Sequence, residues 1–177
     1  MDAVDIVVEH AVPNRDAGTI ANLTNLCAEN RWTVLNMFTE EEERAYLEGM
    51  GPREAVFVAF VDGEFAGFSG LAPKVGYSDR LLHCAEGGTW VLPEYWGTGV
   101  SKALWRHGNF PFGGRVGFSH YSHFVPVHNA RAIRHYERLG FRVCGYRREY
   151  VEWPDGSLED AVLMELRLER ERPIFSI

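Results

Sequence analysis

The sequence of 177 residues contains no apolar run approaching the ~18–20 residues that a membrane-spanning helix requires. Its first residues also lack the basic-then-apolar layout of a secretory signal. We therefore expect a protein without a membrane segment that resides in the cytoplasm.

Cysteine is scarce, with Cys27, Cys84 and Cys144 as the three examples. Their number is odd, they are far apart, and no Cys-x-x-Cys pair occurs. These features exclude a disulfide framework and give no zinc-binding pattern. We expect all three to be buried structural thiols and expect no metal site.

Basic residues are fewer than acidic ones: the sequence has 18 Lys and Arg and 25 Asp and Glu, which gives a net charge of −7. A nucleic-acid-binding protein would need clustered positive charge, so this class is not expected. The acidity mildly favours a cationic substrate such as an amine, although it also serves solubility. The ordinary hydrophobic content of 46% indicates a globular chain, and we expect residues 1–177 to form one domain.

What is present is a series of short apolar runs interrupted by helical patterns. Predicted strands cover 4–12, the two halves of a hairpin at 54–71 around Asp62-Gly63, 82–92, 115–125, 142–153 and 159–168. Predicted helices cover 15–29, 39–49, 98–108 and 129–139, and the second of them begins with a capping box formed by Thr39 and Glu42. Asn109–Gly114, rich in Pro and Gly, is interpreted as a turn. This order predicts an α/β fold with one mixed sheet of about seven strands and four helices on both faces.

Residues 90–104 carry the first motif, in which an apolar run meets Pro93, a glycine-containing bend and then a helical segment. Such a bend exposes backbone N–H groups at the positive end of a helix, which is a ready anion site. Gly97 and Gly99 remove the Cβ atoms that would block a phosphate from the backbone. Plain turn chemistry is the alternative.

Residues 125–141 carry the second motif. Asn129 is a good helix N-cap, and a stripe of apolar residues that includes Ile133 and Tyr136 follows on one face. Gly140 then stands where a left-handed C-terminal cap is expected.

Together the two motifs resemble the GCN5-related N-acetyltransferase (GNAT) superfamily, over roughly residues 4–168. The resemblance implies the GNAT fold, acetyl-CoA as co-substrate, and acetyl transfer to an amine by direct attack in a ternary complex. It also implies the residues that contact acetyl-CoA: Val91 and Leu92 on the strand, Trp96, Gly97, Thr98, Gly99, Val100 and Ser101 in the bend, and Asn129. Trp96 and Ser101 depart from the family's usual Gln or Arg and Gly or Ala, without removing the backbone amides.

The resemblance places a general acid at Tyr136, whose phenol with a pKa near ~10 can protonate a leaving thiolate. Simple packing of the helix on the core is the alternative role. It also places a catalytic carboxylate at Glu86, within a strand, where an ion pair or a solvent-facing edge is the alternative. His120 and His123 point to opposite faces of a strand, which rules out a shared metal site. Either of them, or His83, is an alternative base, with His120 preferred.

The resemblance implies that the first two helices, their connecting loop and the last hairpin form the acceptor site. Those regions contribute Trp32, Met37, Phe38, Tyr150 and Trp153, with Glu149 and Glu152 nearby. We expect a small-molecule primary amine as acceptor. A protein N-terminus or lysine, and a non-catalytic acyl-CoA-binding module, remain alternatives. The aromatic residues could instead pack in the core or form a homodimer contact, and the apolar C-terminal tail could dock on a second copy. Glu40–Glu43 is interpreted as the solvated start of a helix.

Overall fold

The computed structural model describes residues 5–74 and 78–169. The start of the first predicted strand at Val4, part of the loop predicted at 73–81, and the C-terminal tail lie outside these residues. The strands are β1 (Ile6–His10), β2 (Ala55–Val61), β3 (Glu64–Pro73), β4 (Cys84–Val91), β5 (His120–Pro126), β6 (Arg142–Glu152) and β7 (Leu158–Arg167). The helices are α1 (Pro13–Glu29), α2 (Glu40–Gly49), α3 (Val100–Ala103), α4 (Phe110–Val116) and α5 (Ala130–Arg138), with a π-helical segment, Leu104–Asn109, joining α3 to α4.

The seven strands form one sheet in the order β1-β2-β3-β4-β5-β7-β6. Neighbours are antiparallel except β4 and β5, which run parallel. Because α3, the π segment and α4 form one continuous helix, four helices pack on the sheet: α1, α2, this continuous helix and α5. The predicted mixed α/β fold is therefore confirmed.

Two local predictions are confirmed in detail. Asp62 and Gly63 both adopt positive φ, 50° and 84°, at the tip of the β2–β3 hairpin. That conformation matches the turn that tight hairpins favour. At the start of α2, the Thr39 hydroxyl accepts from the Glu42 N–H at 3.2 Å, and the Glu42 carboxylate accepts from the Thr39 N–H at 2.8 Å. This is the capping box that the sequence predicts.

Each face of the sheet has its own apolar cluster. On the α1–α2 face, Val58 and Phe68 pack with residues of α1 and α2, including Leu47. On the α3–α5 face, Ala85 and Trp105 belong to a larger cluster. Alternation along β4 and β5 thus decides whether a side chain meets the first two helices or the last ones.

The predicted turn at Asn109–Gly114 is wrong, because the chain stays helical until Val116 and β5 begins only at His120. Gly108 and Gly113 are there for close packing. A Cβ on Gly108 would lie 2.6 Å from the Phe57 ring, and one on Gly113 would lie 2.2 Å from the Tyr121 hydroxyl. Pro111 stands at the start of α4, directly after the π segment, where a missing N–H is tolerated.

The parallel pairing of β4 with β5 is short. Only three pairs connect them, and the last joins Glu86 to Ser122. Beyond that pair β4 continues to Val91 against β3 alone. The sheet therefore splits after Glu86 and leaves backbone groups of β4 without a strand partner on the β5 side.

The prediction of buried cysteines holds for Cys27 and Cys84 but is wrong for Cys144, which is exposed on β6. In the part of the chain that the structure describes, none of the helices is both long enough and apolar enough to span a membrane.

Candidate active site

A cavity of about 1190 Å³ opens at the split between β4 and β5. It collects residues from both sides of the sheet: Glu86 and Thr89 of β4, the Trp96–Ser101 bend except Thr98, His123 of β5, and Tyr136 of α5. The two sequence motifs, more than 20 residues apart in the chain, therefore meet in one cleft.

The bend presents free backbone donors. Gly97 and Gly99 have φ of 81° and 98°, a left-handed conformation that glycine adopts without strain. The N–H groups of Trp96 and Thr98 are used in turns. Those of Gly97, Gly99, Val100 and Ser101 have no acceptor among the described residues, and they precede or open α3. This arrangement fits a diphosphate, which needs several converging donors.

Trp96 connects the bend to its surroundings. Its indole Nε1–H donates to the Val91 carbonyl at 2.8 Å. The Arg131 guanidinium lies 3.2 Å from the centre of the Trp96 ring, and the Trp32 ring meets Trp96 edge-on at 4.9 Å. The segment after α1 is thereby joined to the Trp96–Ser101 bend and to α5.

The predicted contacts at the end of β4 are partly occupied within the protein. The Leu92 N–H donates to the Ala66 carbonyl at 3.0 Å, and Leu92 is not among the residues that line the cavity. Val91 does line it. The hydroxyls of the bend are also occupied, since Thr98 Oγ1 donates to the Tyr95 carbonyl at 2.7 Å.

Ser101 connects the bend to α5, and Asn129 connects the start of α5 to the segment that follows α1. Ser101 Oγ lies 2.6 Å from His135 Nε2, and burial, with the charge of Arg138, lowers the pKa of His135 to about 4. Asn129 Oδ1 accepts from the Ala132 N–H at 3.1 Å as the predicted N-cap. Its Nδ2 donates to the Trp32 carbonyl at 3.3 Å, and the residue lines the cavity.

Tyr136 both packs in the core and lines the cavity. Its ring meets Trp105, His123 and Phe141, and the residue is buried. Burial raises the pKa of Tyr136 to about 12, opposed by hydrogen bonds with Thr89. The phenol therefore holds its proton at neutral pH, as a general acid must.

Thr89 was not singled out from the sequence. Its Oγ1 accepts from Trp105 Nε1 at 2.6 Å, and it also bonds to Tyr136. Thr89 thus fixes the phenol against the edge of β4. Alternation along the strand was the available signal, because Thr89 shares the face of Ala85.

Of the three histidines singled out from the sequence, His123 lines the cavity, and the preferred His120 does not. Its ring lies 3.8 Å from that of Tyr136, and both ring nitrogens are shielded from solvent without a hydrogen-bond partner. Burial lowers the pKa of His123 to about 3, with smaller effects from His135 and Lys74. The ring is therefore neutral at pH 7.

His120 points to the other face, as the alternation predicts, and lines a separate cavity of about 270 Å³. Its Nε2 lies 3.1 Å from Glu165 and its Nδ1 lies 3.6 Å from the Cys84 sulfur. The His83 ring lies 6.5 Å from that of His120, and His83 does not line the large cavity. The expectation that His120 lines the cleft is therefore wrong, and His123 is the predicted histidine found there.

Glu86 lines the large cavity at the point where the sheet splits. Its carboxylate is exposed and lies 3.7 Å from Lys74. This is a loose surface ion pair, and such pairs contribute little to stability. The position therefore leaves the carboxylate free to meet a ligand.

The acceptor side differs from expectation. Of the predicted residues, Trp32 and Phe38 line the cavity, whereas Met37, Tyr150, Trp153, Glu149 and Glu152 do not. The prediction of a solvated Glu40–Glu43 run is wrong at its last member, because Glu43 is 8% exposed. Glu43 faces the cavity from α2, one turn before the buried Leu47.

Residues 19–141 match the family model described as the acetyltransferase (GNAT) family. The chain therefore belongs to this family. No curated protein sequence matches it at a significant level.

Solved structures share the fold at low sequence identity. A GNAT superfamily phosphinothricin acetyltransferase from Sinorhizobium meliloti, in complex with acetyl-CoA, is 19% identical, with 92% of this chain and 88% of that chain covered and a TM-score of 0.80. A ribosomal-protein-alanine N-acetyltransferase from Brucella melitensis is 20% identical, with 92% and 99% covered and a TM-score of 0.80. A GCN5-related N-acetyltransferase from Kribbella flavida is 24% identical, with 92% and 98% covered and a TM-score of 0.78.

Proposed function

We propose that this protein is an acetyl-CoA-dependent N-acetyltransferase that acetylates a primary amine of a small molecule by direct attack in a ternary complex. One observation carries the proposal. A bend of unpaired backbone donors and a buried, protonated phenol line the same cavity where the sheet splits.

Acetyl-CoA supplies an acetyl group activated as a thioester. The free N–H groups of Gly97, Gly99, Val100 and Ser101 would hold its diphosphate at the start of α3. The unpaired edge of β4 beyond Glu86 would accept the extended arm between β4 and β5. A backbone N–H on that edge can stabilise negative charge on the carbonyl oxygen of the thioester.

Tyr136 Oη would donate its proton to the departing sulfur, because its raised pKa keeps the phenol protonated at neutral pH. Glu86 would accept the proton of the attacking ammonium, directly or through water. Such a base is needed because an amine with a pKa of ~10.4 is only about one part in a thousand neutral at pH 7.

His123 extends this arrangement. Its two unpaired nitrogens are the kind of buried polar group that a bound ligand or an ordered water satisfies. We place it as a hydrogen-bonding neighbour of Tyr136 and of the bound arm, with Glu86 kept as the base.

The test is an assay of thiol release from acetyl-CoA over a library of primary amines, with calorimetric titration of coenzyme A alongside. The wild type should bind coenzyme A and release thiol with at least one amine. Tyr136→Phe should keep the affinity for coenzyme A and lower turnover by roughly 10²-fold or more, as expected for a lost general acid. Glu86→Gln should lower turnover in the same way.

Each alternative gives a different result. Coenzyme A binding without thiol release from any amine would indicate a non-catalytic binding module. Release only with peptide N-termini or lysine peptides would replace the small-molecule acceptor. Unchanged turnover in Tyr136→Phe would remove the acid role, and no coenzyme A binding at millimolar ligand would overturn the function as a whole.

A further inference from the structure

We propose that the acceptor carries a second cationic group besides the amine that is acetylated, and that Glu43 binds this second group. The proposal rests on the N-acetyltransferase function above and adds the class of acceptor, a diamine. Nothing in the sequence motifs points to Glu43; its burial does.

Glu43 is largely buried, and its side chain, which lines the cavity, has no partner among the described residues. Glu43 occupies the inward stripe of α2, four residues before Leu47, which packs with Val58 and Phe68. Among the described residues no hydrogen bond or ion pair reaches its side-chain oxygens, and burial raises the pKa of Glu43. Burying a carboxylate in this way is costly unless a cation or donor arrives to satisfy it.

The other carboxylates that line the cavity have different roles. Glu42 closes the capping box with Thr39. Glu86, at the sheet split, is the proposed base for the amine that reacts. Among the described residues that line the cavity, Glu43 is therefore the carboxylate left for a second cationic group.

The α1–α2 face of the cavity suits an alkyl ammonium. Phe68 and Trp90 stack at 4.7 Å with an interplanar angle of 10°, both line the cavity, and both belong to the same apolar cluster as Leu47 of α2. Aromatic faces attract cations and pack well against methylene chains. Gly88 lets the Trp90 ring lie over the strand, since a Cβ there would be 2.6 Å from that ring.

Charge along the cavity is separated by sign. The cationic residues of its lining come from α3, the π segment and α5: Lys102, Arg106, Arg131 and Arg138. The acidic ones come from α2 and β4. An anionic coenzyme is thus favoured at one end and a cationic acceptor at the other.

The geometry separates Glu43 from the site of acetyl transfer. Leu47 and its neighbours pack over β2 and β3, whereas the split lies between β4 and β5. Two strand spacings amount to roughly 10 Å. The group held at Glu43 is therefore not the amine that reacts beside Glu86, and a linear diamine of several carbons can reach both.

The experiment compares binding of α,ω-diaminoalkanes, from diaminopropane to diaminooctane, with binding of the monoamine of the same carbon chain. Titrations are calorimetric and use the full chain saturated with coenzyme A. We expect the best diamine to bind about tenfold or more tightly than its monoamine, which corresponds to about 1.4 kcal/mol. Glu43→Gln should remove this preference while leaving monoamine affinity unchanged.

Glu41→Gln is the matched control, because Glu41 lies exposed on the same helical turn; it should keep the preference. Unaltered monoamine binding shows that Glu43→Gln is folded, and the wild-type ratio is informative without any variant. A ratio near one at every length, or a preference that survives Glu43→Gln, would overturn the proposal. Thiol release is measured separately with the same amines and with acetyl-CoA in place of coenzyme A, because coenzyme A has no acetyl group to transfer. Preference without release contradicts only the transferase function, and release without preference contradicts only the role of Glu43.

Discussion

His123 shows how a single residue can be unfavourable for the unliganded fold and useful for its site. Alternation places it on the same face of β5 as Tyr121 and Val125, which are core residues. Its ring nitrogens are shielded and unpaired, which costs free energy in the folded state. Such a residue is expected where a ligand completes the hydrogen bonds.

Replacing His123 by Phe should therefore stabilise the unliganded protein, by about 1 kcal/mol, because two unsatisfied polar atoms are removed. Acetyl transfer should fall. Thermal unfolding and the thiol-release assay measure the two effects. The exposed His107 provides the control, since His107→Phe removes no buried polar atom. A lower melting temperature for His123→Phe would contradict the argument.

The same variant tests the pH dependence of stability. Burial holds the pKa of His123 at about 3, below the ~6.5 of an unfolded histidine. As pH falls below about 6.5, the unfolded chain binds a proton at this ring that the folded chain excludes, so stability decreases towards pH 3. His135, with its pKa lowered to about 4, acts in the same direction. The decrease between pH 7 and 5 should be shallower in His123→Phe.

At the scale of elements, the end of β4, a turn and the start of α3 together form the Trp96–Ser101 bend. β4 ends beside Trp96, whose indole bonds back to Val91, and α3 begins directly after Gly99. The left-handed φ of Gly99 aims successive N–H groups outward. In the π-helical segment that follows, Trp105 donates a hydrogen bond to Thr89, and its ring meets that of Tyr136. The segment therefore connects the bend to Tyr136.

Gly99→Ala should weaken coenzyme A binding by about tenfold or more, which is about 1.4 kcal/mol. A Cβ at a φ of 98° is strained, so the backbone shifts and its N–H groups lose their alignment. Calorimetry with coenzyme A measures the change. Gly114→Ala is the control, because Gly114 is exposed in α4 with nothing within 4 Å of its Cβ; equal losses in both variants would contradict a specific role of the bend.

At the scale of the molecule, the cavity lies where the two faces of the sheet communicate. The split after Glu86 lets the proposed cofactor site at α3 and α5 open towards the proposed acceptor site at α1, α2 and their connection. Trp32, Trp96 and Arg131 join the two sides at one contact. A bound coenzyme would therefore bridge separate layers of the fold.

Coenzyme A should consequently raise the melting temperature of the whole protein. At a free concentration of about one hundred times the Kd, binding adds about 2.7 kcal/mol. For a chain of this length that amounts to a rise on the order of 5–10 °C. Differential scanning calorimetry measures the shift, and Gly99→Ala should show a smaller one at equal ligand. An unchanged melting temperature at saturating coenzyme A would contradict this picture.

Local signals in the sequence were sufficient for most elements. The Asp62-Gly63 turn and the Thr39–Glu42 capping box are formed as predicted. Helix and strand positions follow, because apolar periodicity is a property of neighbouring residues. The continuation of the helix through Pro111 to Val116 was missed, because it depends on the fit of Gly108 and Gly113 against distant rings.

For the site, the sequence indicated the bend and Tyr136 as candidates through the two motifs, and Glu86 through the resemblance. Only the tertiary structure decided that His123 and not His120 lines the cleft, that Trp105 bonds to Thr89 there, and that Glu43 is largely buried with no partner among the described residues. The physical reason is that burial and hydrogen bonding across layers arise from contacts between segments far apart in the chain. Such contacts exist only once the sheet has assembled.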